Sequence, residues 1–210
     1  MVAQSTQKLL AVDPSLTCSG WALFDVKSGA LCGVGSVTTL GPEVSMPRRL
    51  KRLQDNIEAV FTQAGLKAGD ILICEDATSM KDPTSVAKLE RVRGIFETLA
   101  RSKDIEVPCR IHPRTVQYEL LGLRGKQVGR DAVKQAARGI VVHLFKEALQ
   151  KIHFDVSENH LKKTQDIVDA LLVGSIALSR IDEARRASQP LDECLSSSSS
   201  ARPSARLVGV

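Results

Sequence analysis

Aromatic side chains are scarce: five Phe, one Trp and one Tyr in 210 residues, 3% of the chain. A platform that stacks the bases of single-stranded nucleic acid needs several exposed rings, so that class of binder is disfavoured. Long apolar runs are missing too. No stretch approaches the roughly 20 apolar residues that cross a bilayer, and no membrane partner is expected. The opening Met1-Val-Ala-Gln-Ser-Thr-Gln is too short and too polar for a secretory signal. Regular structure is expected to begin at Lys8, and a cytoplasmic location follows. The five cysteines (Cys18, Cys32, Cys74, Cys109, Cys194) form no CxxC pair and no Cys/His cluster at zinc spacing. They read as reduced thiols, and Cys74 and Cys109, in strand-like apolar contexts, as small hydrophobes.

What is present suffices for a folded core: 43% hydrophobic and 25% charged residues, ordinary values for a globular chain. The net charge is +5 with a pI near 9.0, a modest excess that permits a polyanionic partner. Residues 8–13 read as a short buried strand, 20–26 and 30–39 as two more around the Lys27-Ser28-Gly29 turn. Ser45 can cap a helix that places Leu53, Ile57, Val60 and Phe61 on one face. A strand over 70–75, a helix over 84–102, a strand over 106–112 stopped by Pro113, and helices over 131–152 and 164–187 complete the pattern. Gly94, inside the second helix, is expected to mark close packing. The order βββαβα followed by helices gives one α/β domain with a five-stranded mixed sheet flanked by helices, residues 1–187. Residues 188–210, with five consecutive serines from Ser196, are expected to form a disordered tail.

Four acids carry the chemistry. Asp13 ends the first strand and Glu75 the fourth, where sites of open α/β sheets form. Asp166 and Asp169 lie three apart, hence on one face of the last helix. Singly, each has an ordinary explanation: a turn former, an ion-pair partner, or a helix-dipole charge. Asp169, deep in an apolar stretch, is the hardest to explain so. Together they would repel strongly without a cation. Carboxylates with water suit Mg²⁺ or Mn²⁺. Two such ions roughly 3.5–4 Å apart activate water and stabilise the leaving oxygen in phosphodiester hydrolysis. His112 and His160 read as structural.

Ala-Val-Asp13-Pro-Ser-Leu-Thr-Cys-Ser-Gly20-Trp-Ala-Leu resembles the opening strand and turn of the RuvC family of Holliday-junction resolvases, members of the RNase H-like superfamily. Ile-Leu-Ile-Cys-Glu75-Asp-Ala is similar to that family's second acidic strand, and Asp166-Ile-Val-Asp169-Ala-Leu to its closing helix. Ala87-Lys-Leu-Glu-Arg-Val-Arg-Gly94 resembles the small-residue helix between them, and the similarity runs in order from about residue 8 to 180. The resemblance implies an RNase H-like fold. It also implies that Asp13, Glu75, Asp166 and Asp169 hold two Mg²⁺ ions, with Mn²⁺ as substitute, and that a homodimer cuts four-way junction DNA in recombination and repair. Two departures bear on specificity more than on hydrolysis. No ring stands in Asp76-Ala-Thr-Ser-Met80, where the family often places an aromatic wedge, with Met80 as its possible substitute. A lysine of the family pattern is replaced by Gln117 or Tyr118.

Between Arg110 and Lys151 stand nine Lys/Arg against three acids. Arg114, Arg124, Lys126, Arg130, Lys134 and Arg138 are the expected DNA-backbone contacts, the last three recurring every four residues as one basic stripe. Three rivals are weighed. A sugar-kinase-type phosphotransferase using Thr17, Ser19 and Gly20 needs two large halves, so no nucleotide cofactor is expected. A nuclease of RNA or RNA–DNA hybrid would use the same acids. A non-catalytic junction binder would bury them at a cost.

Overall fold

A computed structural model of the chain describes residues 6–76, 82–122 and 129–196. Strands β1 (Lys8–Asp13), β2 (Cys18–Asp25) and β3 (Leu31–Thr38) form an antiparallel meander. Strands β4 (Ile71–Glu75) and β5 (Arg110–Ile111) extend the sheet on the other side of β1 and run parallel to it, in the order β3-β2-β1-β4-β5. The fold is the expected five-stranded mixed sheet with helices on both faces.

Strand periodicity sorts the core. Leu9, Ala11, Ile71 and Ile73 face one side, and Leu10, Val12, Leu72 and Cys74 the other; all are fully buried. Both faces of β1 and β4 are covered, which is why each reads as an unbroken apolar run. One side packs against α1 (Met46–Gln63) and α2 (Pro83–Arg101), through Leu53, Ile57, Phe61, Val92 and Phe96. The other packs against α4 (Arg130–Lys151) and above all α6 (Gln165–Ala187), whose Val168, Leu171 and Val173 lie in that core. Short helices α3 (Pro113–Glu119) and α5 (Glu158–Lys163) flank them.

Three expectations need correction. The fifth strand is only two residues long. Glu106 makes an isolated bridge to Ile71, and Pro108, which has no N–H to donate, interrupts the ladder between them. Gly94 does not mark close packing: a Cβ there would meet nothing within 4 Å, and the residue borders a shallow groove between α1 and α2. Regular structure also continues past residue 188. After a left-handed Ser188, helix α7 (Leu191–Ser196) folds back, with Leu191 against the core. The serine-rich remainder lies outside the described residues. Among the described residues no helix is long and apolar enough to cross a membrane.

Candidate active site

Two acids are brought together by strand register alone. β1 and β4 are parallel with Val12 opposite Cys74, so Asp13 and Glu75, each one residue on, end adjacent strands side by side. Alternation gives both the face of Ala11 and Ile73, which is the α6 face. Behind Glu75, the fully buried Arg93 of α2 donates from Nε to the Glu75 carbonyl at 3.2 Å. Arg93 pairs with Glu90, and Arg110 joins Glu90 and Glu97 at 3.2 and 2.7 Å.

The other two acids come from the first turns of α6, and glycine sets how close that helix lies. Gly20 of β2 is the register partner of Asp13. A Cβ at Gly20 would stand 2.0 Å from the Asp166 carbonyl oxygen and 2.5 Å from the Ile167 nitrogen. Further along, Gly174 sits over Phe24, where a Cβ would come within 2.2 Å of the ring. These two glycines let α6 lie against β2 and carry Asp169 to the strand ends. Asp166, in the first turn, favours the positive end of the helix dipole. It stands beside the Cys18 thiol, which burial and the neighbouring acid push above its ordinary range.

Charge repulsion registers in the acids themselves. Burial, then the nearby charges of Glu75, Asp169 and Asp166, holds the Asp13 carboxyl well above its ordinary 3.8. Burial and the Asp169 charge likewise raise Glu75. Asp169 is pushed up to about 6 by burial, against the opposing pull of a Gln165 hydrogen bond and of Lys134. Asp13, Glu75 and Asp169 are each stabler protonated than in water, so a bound cation would relieve a real cost. Every donor is a hard oxygen, which fits Mg²⁺ or Mn²⁺ and not zinc. Among the described residues no three or more acids, histidines or cysteines are placed so that they could hold a metal ion together.

Asp13, Glu75 and Asp169 open onto a cleft of about 800 Å³. Among the described residues four cations line it: Arg49, Lys88, Arg130 and Lys134. Arg130 and Lys134 were expected there. Arg49 belongs to a second basic cluster of the sequence, Arg48-Arg49-Leu-Lys51-Arg52; Lys88 was missed, because it lies in neither basic stretch and only folding brings α1 and α2 to the same opening. Arg114 is exposed on α3, two residues from the cleft-lining Val116. Arg124 and Lys126, like Met80, lie outside the described residues. His112 caps α3, its Nδ1 accepting from the Arg114 N–H at 3.1 Å, and His160 packs edge-on against Phe154.

Arg138 overturns its prediction as a DNA contact. It is only 7% exposed, its Nε donating to Glu158 at 2.9 Å and its other arm to the side-chain oxygen of Gln165 at 3.0 Å. The reason is helical geometry. Residues four apart overshoot the 3.6-residue turn by about 40° each time, so a stripe that starts at the cleft with Arg130 has turned inward by Arg138. Gln165, also missed, is 8% exposed and donates to Asp169 at 2.9 Å.

No protein-family model matches the chain. Among curated proteins it is 31% identical over 134 residues to the crossover junction endodeoxyribonuclease RuvC of Gluconacetobacter diazotrophicus, covering 63% of this chain and 67% of that protein. The same-named protein of Rhizobium leguminosarum is 28% identical over 180 residues, 81% of this chain and 88% of that one. Among solved structures, Thermus thermophilus RuvC in complex with Holliday junction substrate superposes with a TM-score of 0.58 at 15% identity, over 86% of this chain and 96% of that one. The yeast mitochondrial Holliday junction resolvase Ydc2 gives 0.57 at 12% identity, over 86% and 82%. These structures share the fold.

Proposed function

The chain belongs to the RuvC family, and from that premise we propose that it is a crossover junction endodeoxyribonuclease, cutting four-way DNA junctions in recombination and repair in the cytoplasm. The observation that carries the reading is the cleft itself: Asp13 and Glu75 on adjacent strand ends, Asp169 facing them from α6, and a rim of Arg49, Lys88, Arg130 and Lys134.

In this reading Asp13, Glu75, Asp166 and Asp169 would hold the divalent cations. Two Mg²⁺ ions, or Mn²⁺ in their place, supply when bound an activated water and charge stabilisation for the departing oxygen. The hydrolysis would add water at the phosphorus and break its bond to the 3′-oxygen, giving a 5′-phosphate and a 3′-hydroxyl. Arg130 and Lys134 hold the scissile strand by its phosphates, and Arg49 and Lys88 face them across the cleft. Arg114, Arg124 and Lys126 extend the backbone contact outward. A homodimer supplies two such sites, one for each strand of opposite polarity at the junction.

The test is cleavage of a labelled synthetic four-way junction beside matched linear duplex, RNA–DNA hybrid and single strand, in Mg²⁺ and in EDTA. Paired, metal-dependent nicks confined to the junction are expected. Cutting of the hybrid instead would move the same acids to another substrate, and junction binding without any cutting would make the chain a binding module.

A further inference from the structure

Arg138 and Gln165 are nearly buried and polar, and Gln165 reaches one acid of the cleft. Arginine has donors only, so whatever faces its guanidinium must accept. The Arg138 arm at 3.0 Å therefore fixes the oxygen of the Gln165 amide toward α4 and its NH₂ toward Asp169, where it donates at 2.9 Å. With the amide turned over, NH₂ would meet guanidinium and oxygen would meet carboxylate, two repulsive contacts in a buried place. The amide has one usable orientation, and Arg138 dictates it. Arg138 is itself anchored from its far side by Glu158 of α5 at 2.9 Å.

We propose that Arg138 and Gln165 are positioning residues of this site: Arg138 sets the amide of Gln165, and Gln165 ties one oxygen of Asp169, leaving the other to the divalent cation. The proposal rests on the metal-dependent reading above and adds the residues that orient one of its carboxylates. A glutamine i, i+4 from a ligating acid ties that acid within its own helix, so α6 carries ligand and orienter as one rigid piece. Hydrogen-bonded partners of metal ligands are worth 10–100-fold in metal affinity.

The competing explanation is plain stitching, in which Arg138 simply joins α4, α5 and α6. Full-length wild type, Gln165→Met, Arg138→Met, Arg138→Lys and Glu158→Ala separate the two. Three measurements are needed: melting in EDTA, Mn²⁺ or Mg²⁺ binding by calorimetry without DNA, and the Mg²⁺ concentration for half-maximal junction cutting. Gln165→Met and Arg138→Met should bind the ions 10–100-fold more weakly and shift the Mg²⁺ midpoint upward by a similar factor. Excess Mg²⁺ should restore the cutting rate, and junction affinity in EDTA should not change. Arg138→Lys, which keeps a donor but not the fork, should fall between. Glu158→Ala should lower the melting temperature and weaken ion affinity far less than Arg138→Met, because the Arg138 arm to Gln165 remains.

Gln165→Met with wild-type ion affinity and Mg²⁺ midpoint would overturn the relay, even if Arg138→Met failed to fold. Loss of ion affinity in Glu158→Ala equal to that in Arg138→Met would favour stitching and overturn it as well. A wild-type chain that binds neither ion and cuts nothing would instead refute the metal-dependent reading, and the relay's purpose with it.

Discussion

One methyl group at Gly20 tests how the site is assembled. In Gly20→Ala the new Cβ would lie 2.0 Å from the Asp166 carbonyl oxygen, 2.1 Å from its carbon and 2.5 Å from the Ile167 nitrogen. All three are helix backbone, with no side chain to swing aside. Ordinary contact begins at 3.4 Å, so strand and helix must separate by about 1.4 Å. α6 is held further along, where Gly174 seats on Phe24. The separation is therefore taken up as a tilt of the first turns, the part that carries Asp166 and Asp169.

Overpacking of this kind costs about 1–3 kcal/mol, or a fall of roughly 2–4 °C in Tm per kcal/mol for a domain of this size. The catalytic cost is larger, since a misplacement of about 1 Å lowers rates by roughly 10²-fold. The assay is the initial rate of junction cutting at saturating Mg²⁺, beside junction affinity in EDTA and a thermal melt. Cutting should fall about 100-fold with binding retained. Gly94→Ala is the matched control. Its Cβ meets nothing, so in mid-helix it should raise stability by about 0.5–1 kcal/mol and leave cutting untouched. Gly20→Ala that cuts and melts like wild type would refute the close approach of α6 to β2 as the device that positions the acids.

Asp13→Asn and Asp169→Asn should each abolish cutting while junction affinity, read by gel shift in EDTA, stays equal or tightens, because a negative charge facing phosphate is gone; loss of binding along with cutting would contradict the roles assigned. Asp169, ordinarily near 3.8 and here pushed to about 6, holds more protons folded than unfolded between those values, so metal-free stability is highest below that window and falls as pH rises through 6. Asp169→Asn should then out-melt wild type in EDTA by a margin that grows from pH 4 to pH 7 and approaches, as an upper bound, about 3 kcal/mol; a margin that does not change with pH would count against buried repulsion. Lys134→Gln should weaken junction binding across sequences alike and reduce the slope of log affinity against log salt by about 1, whereas Arg138→Gln should leave that slope unchanged.

The strands and the acids that end them were legible because the sheet is covered on both faces, which writes β1 and β4 as continuous apolar runs with a single charge at each end. Asp166 and Asp169 were legible from spacing on one helix face. Contacts between separate elements were not. Lys88 comes to the cleft from a helix whose charges look like any solvated surface, and only folding brings the basic cluster around Arg49 to the same opening. Arg138 looked like the end of a basic stripe because a four-residue repeat imitates one face over a short span and drifts off it over two turns. Gly94 looked like a packing glycine because sequence records that a side chain is missing but not whether anything fills the space; Gly20, with helix backbone 2.0 Å from its absent Cβ, is where that inference holds.

Arg93 could have been found. Leu89, Val92, Phe96 and Ala100 define the inward face of α2, and position 93 falls between Leu89 and Phe96 at helical spacing, so an arginine there must go inside. A buried guanidinium needs partners, and it finds Glu90 and the carbonyl of Glu75. Arg138 does the same from the opposite side, through Gln165 to Asp169. Two interior arginines thus stand behind the acids, one fixing the backbone of Glu75 and the other the side-chain amide that holds Asp169. Neither guanidinium ion-pairs with the acid it supports. A direct pair would neutralise the carboxylate and compete with a cation for its oxygens, whereas support through a carbonyl or an amide fixes position and leaves the negative charge in the cleft. The arginines that orient the acids and the cations that meet phosphate are therefore different residues, and the mutations above should separate ion affinity from salt-dependent DNA affinity along that division.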